Sequence, residues 1–281
     1  MNRLNRAERA KIIRALVEGN SIRSTTRITG RSINTVLKLL ADLGDACERF
    51  LDENLLDLPA TRIECDEIWA FCYAKERNVP EARKDEIGMG DVWTWVALDP
   101  DTKLVVTWLV GERSVVSCNA FLMDLSLRLR NRVTLTTDGH QPYLDAVERA
   151  FGPDIDYAML IKQYGVDDNM AASPTARRYS PNKVTSEQVR VIKGNPEGVS
   201  TSYIERQNLT MRMGMRRFTR LTNGFSKKFD NHAHAVALHF IYMNFARPHK
   251  SLANPYPRTP AMAAGLADHI WTCEEIAALL D

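Results

Sequence analysis

The chain has 281 residues, of which 44% are hydrophobic, 8% aromatic and 26% charged, and this composition excludes a disordered or fibrous protein. No apolar run approaches the roughly 18–20 residues needed to span a bilayer, and the N-terminal residues lack the apolar core of a signal peptide. We therefore expect a cytoplasmic protein with no membrane partner. Its five cysteines have no paired spacing, which argues against a disulfide framework and a Cys/His zinc site.

The net charge of +2 is distributed unevenly along the chain. Residues 1–49 carry ten basic and five acidic side chains, residues 50–176 carry twelve and twenty-two, and residues 177–228 carry twelve and three. Basic blocks suit a phosphate backbone, and clustered carboxylates suit divalent metal ions. The pattern favours a nucleic-acid-binding protein with an acidic central segment, and ordinary solvated faces are the alternative.

The first 43 residues predict three short helices. An apolar stripe from Ile12 to Val17 forms the first, Ser21 caps the second, and a turn containing Gly30 leads to the third. This is the pattern of a helix-turn-helix, whose last helix enters the major groove of DNA. We interpret residues 1–49 as a small all-α DNA-binding domain, with a solvated helical bundle as the alternative. The side chains placed to reach bases and phosphates are Arg31, Ser32, Asn34, Thr35 and Lys38.

After a predicted linker at 50–60, the pattern changes to strands. Apolar alternation predicts five strands, at 62–70, 91–99, 103–110, 132–137 and 155–161, with helices at 115–129 and 141–151. The polar stretch 164–199 is interpreted as an insertion that orders on binding, and helices resume at 200–220 and 227–245. The order predicts an α/β fold with a mixed five-stranded sheet and flanking helices over residues 61–246, followed by a C-terminal tail at 247–281.

Three carboxylates lie where this fold would bring them together. Asp66 is in the first predicted strand, Asp138 ends the fourth, and Glu205 opens the helix after the fifth. Three oxygen donors suit Mg2+ or Mn2+, and two such ions can bind the attacking and leaving oxygens of a phosphodiester. For each carboxylate alone, a role in a turn, a cap or a helix dipole is the alternative.

The segments that carry these carboxylates are IECDEIW (63–69), LTTDGHQPY (135–143) and STSYIERQN (200–208). Together with GDVWTWVA (90–97) and NFARPHK (244–250), they resemble DDE transposases of bacterial insertion sequences, in particular the insertion-sequence-one family. The resemblance covers about residues 5–280. It implies an RNase H-like catalytic domain, dependence on Mg2+ (or Mn2+), and cutting and joining of transposon ends. It also implies that the acidic triad holding the metal is Asp66, Asp138 and Glu205.

A basic series follows Glu205, and a DNA backbone crossing the site would meet it. Four-residue steps place its last three members on one helical face, with the first slightly off it; the series is Arg206, Arg212, Arg216 and Arg220. Arg212 falls where the family carries a basic residue seven positions after the glutamate. Better-known members carry a zinc-binding module before the helix-turn-helix, and this chain lacks its cysteine spacing. End recognition is therefore expected from the helix-turn-helix alone or from the insertion 164–199.

These features predict a DNA transposase that cuts its element's ends and joins them to target DNA. Its partner is double-stranded DNA, and two ends must be brought together, so we expect a homodimer or larger assembly. The expected location is the bacterial cytoplasm, at the nucleoid when bound. Two other functions remain open: a helix-turn-helix regulator without catalysis, and an RNase H-like nuclease that does not join strands.

Overall fold

The structure, a computed structural model, describes residues 4–84, 86, 88–165, 183–219 and 223–281. Short 3-10 turns link several elements, and none of the described helices is both long and apolar enough to cross a membrane. Within the described ranges the α-helices are α1 (Arg6–Val17), α2 (Ile22–Thr29), α3 (Ile33–Asn54), α4 (Val115–Arg128), α5 (Pro142–Phe151), α6 (Ser202–Gly214), α7 (Phe229–Ile241), α8 (Pro260–Ala263) and α9 (Cys273–Ala278).

A mixed sheet forms the centre of the molecule. Its strands are β1 (Arg62–Cys72), β2 (Gly90–Leu98), β3 (Val105–Gly111), β4 (Thr134–Thr137), β5 (Asp156–Gly165) and β6 (Lys183–Lys193). Their spatial order is β3-β2-β1-β4-β5-β6. The pairs β1/β4 and β4/β5 are parallel, whereas β1/β2, β2/β3 and β5/β6 are antiparallel. The predicted α/β class with a mixed sheet and flanking helices is confirmed.

The predicted number of strands was wrong, because the insertion 164–199 contributes strand β6 to a six-stranded sheet. The side chains of β6 from Val184 to Arg190 are exposed. An edge strand is held by backbone hydrogen bonds to one neighbour and needs no apolar face. Its sequence therefore lacks the alternation by which buried strands are identified. Residues 166–182 of the insertion lie outside the described residues.

Helices cover both faces of the sheet, so β1 is buried along most of its length rather than alternating. Ile63 and Cys65 face the core that includes α3, α4 and α5. Ile68 packs on the other face against a second core with Ile204 of α6 and Val236 of α7. Odd-numbered and even-numbered side chains of β1 thus pack into two different cores, one on each face of the sheet.

The N-terminal helices pack onto the same core as the sheet. Ser32 caps α3 by accepting a hydrogen bond from the backbone N–H of Thr35, and Gly30 takes the left-handed conformation at the end of α2. Part of the predicted linker 50–60 is helical, because α3 continues to Asn54. The physical reason is packing, since Leu43 and Leu51 on this helix are buried in the core shared with β1.

Gly44 sets the crossing of α3 and α7. A Cβ built at this position would lie 2.4 Å from the Cβ of His234, closer than two carbon atoms can approach. The absence of a side chain therefore permits the two helices to touch at this point.

The C-terminal residues 247–281, predicted as a tail, are packed against the rest of the chain. Trp271 lies 4.7 Å from Phe245 and 5.1 Å from Phe50 between ring centroids. The carboxylate of Asp281 pairs with Arg6 and Arg9 of α1. These contacts connect the end of the chain to its first helix.

Candidate metal centre and nucleic-acid interface

The candidate centre lies where β1 and β4 separate. The two parallel strands are in register from Arg62 opposite Thr134 to Glu64 opposite Thr136, and their pairing ends there. Asp66 and Asp138 each follow the last paired residue by two positions, so they lie side by side beyond it. The carboxyl ends of parallel strands are where α/β sheets place their ligands.

Three carboxylates converge in this gap. Ligand oxygens of Asp66, Glu67 and Asp138 all lie within 4.8 Å of one another. Successive residues of a strand point to opposite faces of the sheet. Asp66 and Glu67 therefore approach Asp138 from the two sides of β1, which is possible only because β4 has ended.

Burial raises the pKa of two of these carboxyls. The pKa of Asp66 rises to about 6 and that of Glu67 to about 7, first because burial removes water and next because the charge of Asp138 is near. Neighbouring negative charges in a poorly solvated site repel each other. A divalent cation would offset that repulsion, and a set of carboxylate oxygens is the donor set that Mg2+ and Mn2+ prefer.

Arg113, between β3 and α4, orients one of the carboxylates. Its Nη2 and Nε donate hydrogen bonds of 3.0 and 3.2 Å to Oε2 of Glu67, and Nη2 lies 3.7 Å from Oδ2 of Asp138. The guanidinium carbon is 4.8 Å from the ring centroid of Trp93. The buried hydroxyl of Tyr143 also hydrogen-bonds the Glu67 carboxylate and opposes the rise in its pKa. Arg113 is a single positive charge beside three carboxylates, and a divalent cation would offset the remaining negative charge.

Glu205 lies apart from the three converging carboxylates. Its Oε1 accepts hydrogen bonds from Nζ of Lys162 at 2.5 Å and from Oγ1 of Thr201 at 2.7 Å. Its side chain is 45% exposed, and its charge contributes to raising the pKa of Asp66. The expected convergence of all three predicted carboxylates is thus seen for Asp66 and Asp138, whereas Glu205 pairs with a cation on β5.

Two carboxylates on one face of β1 hold helix α6, which carries Glu205. Oε2 of Glu64 accepts hydrogen bonds of 2.9 Å from the backbone N–H groups of both Tyr203 and Ile204. Oδ2 of Asp66 accepts one of 2.8 Å from Nδ2 of Asn208. Glu64 is 3% exposed. The side chain of Thr201, the residue before α6, does not cap the helix, so Glu64 accepts the hydrogen bonds at its start.

The spacing of these two contacts on β1 matches their spacing on α6. Two residues of a strand advance by about 6.6 Å, and four or five residues of a helix advance by about 6.0–7.5 Å. The helix can therefore run alongside β1 and be held at two points. Glu205 lies between those points, so Glu64 and Asp66 together fix its position beside the gap.

His140 follows the gap and stabilises the turn after β4. Its backbone N–H donates a 2.9 Å hydrogen bond to Oδ1 of Asp138. Its pKa is lowered, first by burial and then by the positive charge of Arg113. Its contribution is thus to the conformation of Asp138.

The side chains predicted to read DNA lie at the start of α3. Arg31, Ser32, Asn34 and Lys38 are exposed, and Thr35 is half-buried. Two of them are engaged in ion pairs: Arg31 with Glu8, and Lys38 with Asp42 through an Nζ–Oδ1 distance of 2.8 Å. Exposed ion pairs of this kind contribute little free energy, so both side chains can exchange their partner for a phosphate.

The predicted arginine series does not share one helical face. Arg206 and Arg212 are on α6, where Arg206 is exposed and Arg212 is half-buried. The helix ends at Gly214, and Arg216 lies in the 3-10 turn that follows. Arg220 lies outside the described residues. The helix was predicted to continue to residue 220, but Met215 and Phe218 turn into the core beside α7 instead.

A cleft of about 860 Å3 is lined by residues of the three N-terminal helices and by residues of the segment that follows α6. Its walls include Ile22 and Ile33 on one side and Arg216, Lys227 and Lys228 on the other. The cleft therefore borders both of the predicted DNA-contacting segments.

Four residues of the site were not predicted from the sequence, namely Glu64, Glu67, Arg113 and Asn208. The signal for the two glutamates was present, because acids flank Asp66 in a strand that is otherwise apolar, and buried acids are rare unless they are partnered. Arg113 lies in a segment with no distinguishing local pattern, and the segment 200–208 that contains Asn208 predicted a role only for Glu205. Only the packing of distant elements brings them to the gap.

No family model and no curated protein matches the chain. The solved Mos1 transposase paired-end complex with left transposon end is similar over 56% of this chain and 60% of that chain, with 12% identity and a TM-score of 0.23. A piggyBac transposase synaptic complex with hairpin DNA is similar over 99% of this chain and 71% of that chain, with 9% identity and a TM-score of 0.37. The chain thus spans about 60% of the Mos1 chain that it matches. TM-scores this low carry no argument about function.

Proposed function

We propose that this chain is a DNA transposase that cuts and joins the ends of an insertion sequence, as its resemblance to the insertion-sequence-one family implies. The observation that carries the proposal is the convergence of Asp66 and Asp138, which are 72 residues apart in the chain, beyond the last paired residues of β1 and β4. The proposed fold of the catalytic part is RNase H-like. We also propose a bacterial cytoplasmic protein that works at the nucleoid.

The proposed reaction has two phosphoryl transfers. In the first, water attacks a phosphodiester at the element end, the bond from phosphorus to the 3′ oxygen breaks, and a 3′-hydroxyl is released. In the second, that hydroxyl attacks a target phosphodiester and displaces its 3′ oxygen, so that the number of phosphodiester bonds is conserved. Bound Mg2+ or Mn2+ would stabilise the charge on the attacking and leaving oxygens.

The protein's own groups position these reactants. Asp66 and Asp138 would hold the cation, and Glu205 would join them after leaving Lys162, to which it is bound at 2.5 Å. Helix α6 keeps Glu205 beside the gap through the hydrogen bonds that it donates to Glu64 and Asp66. Such positioning, with charge neutralisation, is most of what phosphoryl transfer requires of a protein.

DNA would be bound by two surfaces. The exposed start of α3 would contact the element end as the recognition helix of a helix-turn-helix, and Asn34 is placed there to read a base edge. Arg206 and Arg216 would contact the backbone near the cut site. Two ends must be held at once, and we therefore propose a homodimer or larger assembly as the working form.

The test is an assay on DNA that flanks the coding sequence, with Mg2+ and a target plasmid. The proposal predicts specific cuts followed by joined products, both lost in Asp138→Asn and retained in the matched control Asp145→Asn, an exposed residue of α5. Cutting without joining would instead identify a nuclease. Specific binding without cutting would identify a regulator, and either result refutes the proposal.

A further inference from the structure

Glu67 is a carboxylate for which the proposed reaction has no role. It is 7% exposed as a residue and its side chain is 1% exposed. Burying an ionisable group is costly unless it is paired or binds a metal. Arg113 donates to one oxygen of Glu67, and the buried hydroxyl of Tyr143 hydrogen-bonds the same carboxylate. Arg113 is nevertheless a single positive charge beside three carboxylates whose oxygens lie within 4.8 Å of one another, so a further cation would offset their remaining charge.

The carboxylate has the arrangement of a metal ligand with its supporting partner. Ligating carboxylates usually accept hydrogen bonds from a neighbour that fixes their orientation. Arg113 does this for Oε2, through donors at 3.0 and 3.2 Å. Arg113 is itself held against Trp93 at 4.8 Å.

The position of Glu67 in the sheet also points to the gap. It is paired with Trp95 of β2, a fully buried residue. On the other side of β1 the pairing with β4 ends at Thr136, two residues before Asp138. Ligand oxygens of Asp66, Glu67 and Asp138 come within 4.8 Å of one another, whereas Glu205 is not a member of this group among the described residues.

We propose that Glu67 is itself a metal ligand, and that Asp66, Glu67 and Asp138 bind the first divalent cation before DNA is present. This inference rests on the proposed metal-dependent function. Glu205 then takes part only when DNA or a second cation draws it from Lys162. The site thus takes three hard oxygen donors from two adjacent strands, a chemistry suited to Mn2+ or Mg2+.

The experiment is calorimetric titration of the full-length, DNA-free protein with Mn2+ alone, together with electron paramagnetic resonance of bound Mn2+. We expect Glu67→Gln to weaken Mn2+ binding by at least about tenfold, the lower end of the losses produced by removing mere supporting groups. Asp66→Asn should do the same, and Glu205→Gln should have a smaller effect. Glu53→Gln is the matched control, because it makes the same change at an exposed glutamate of α3 that is not among the residues of the site.

Wild-type affinity in Glu67→Gln, alongside a loss in Asp66→Asn, would overturn this inference and leave the proposed function standing. Failure of the wild-type protein to bind Mn2+ would instead contradict the metal-dependent function itself. If Glu67→Gln does not fold, as judged by its melting transition without metal, Glu67→Asp provides the same test. That variant keeps the charge but withdraws the oxygens, so unchanged Mn2+ affinity would equally overturn the assignment.

Discussion

Replacing Asp138 by Asn should stabilise the metal-free protein and abolish its activity. The substitution retains Oδ1, which accepts the 2.9 Å hydrogen bond from the backbone N–H of His140, so the turn after β4 keeps its contact. It removes one negative charge from a group of carboxylates whose oxygens lie within 4.8 Å of one another. The substitution therefore separates the electrostatic contribution of Asp138 from its structural one.

The size of the effect follows from the distances. Two unit charges about 4.8 Å apart interact with about 3.5 kcal/mol at an effective dielectric constant of about 20. Solvent screens much of this, because the side chain of Asp138 is 39% exposed. The loss of its attraction to Arg113, 3.7 Å away, opposes the gain. We expect a net stabilisation of about 1 kcal/mol, which raises the melting temperature of a chain this long by about 2–4 °C.

The assay is thermal denaturation without metal and with Mg2+, followed by DNA cutting and joining on the same preparation. At a hundredfold excess over Kd, Mg2+ should add about 2.7 kcal/mol to the free energy of unfolding of the wild-type protein and so raise its melting temperature. It should have little effect on Asp138→Asn. Asp145→Asn should behave as wild type in every measurement. If Asp138→Asn melts at the wild-type temperature and responds equally to Mg2+, Asp138 is a turn residue and the metal centre is refuted.

Three further predictions concern pH, helix α6 and the recognition surface. Because the pKa values of Asp66 and Glu67 are raised to about 6 and about 7, the folded state holds protons that the unfolded chain loses near pH 4. The stability of the metal-free protein should therefore fall as pH rises from about 4 to about 7, and Mn2+ affinity should rise over that range; a flat stability profile would contradict the burial of these groups. Glu64→Ala removes the acceptor of two backbone N–H groups at the start of α6 and should cost about 1–3 kcal/mol in denaturant unfolding. Glu64→Gln should cost less, and equal losses would show that an acceptor oxygen is irrelevant. Asn34→Ala should reduce binding to the element end more than binding to random DNA in fluorescence anisotropy, so equal losses on both would remove Asn34 from base recognition.

Local patterns in the sequence identified most of the secondary structure. Strands β1 to β5 lie close to the predicted positions, because each is a short apolar run bounded by turn residues. Ser32 begins α3 as predicted from its capping side chain. Taking the first and fourth strands as neighbours in a mixed sheet predicts that Asp66 and Asp138 meet, and the structure pairs these strands in parallel.

Strand β6 and the lengths of α3 and α6 could not be predicted in this way. The sequence of β6 is polar because the strand is held by backbone hydrogen bonds to β5, while its side chains from 184 to 190 are exposed. Helix α3 continues into the predicted linker because Leu51 finds a core supplied by distant segments. Helix α6 stops at Gly214 because the residues after it pack beside α7. In each case the deciding contact joins residues far apart in the chain.

The sequence by itself determined that acidic side chains lie in the first strand and directly after the fourth, because an apolar run and the turn residues that follow it are local properties. Tertiary structure alone decided which of them converge. The early end of β4 opens a gap that Glu67 reaches from the far face of β1. Lys162 on β5 draws Glu205 toward itself, and Glu64 fixes the helix that carries it. These outcomes depend on the balance of charges between separate elements, which is not encoded in the spacing of residues along the chain.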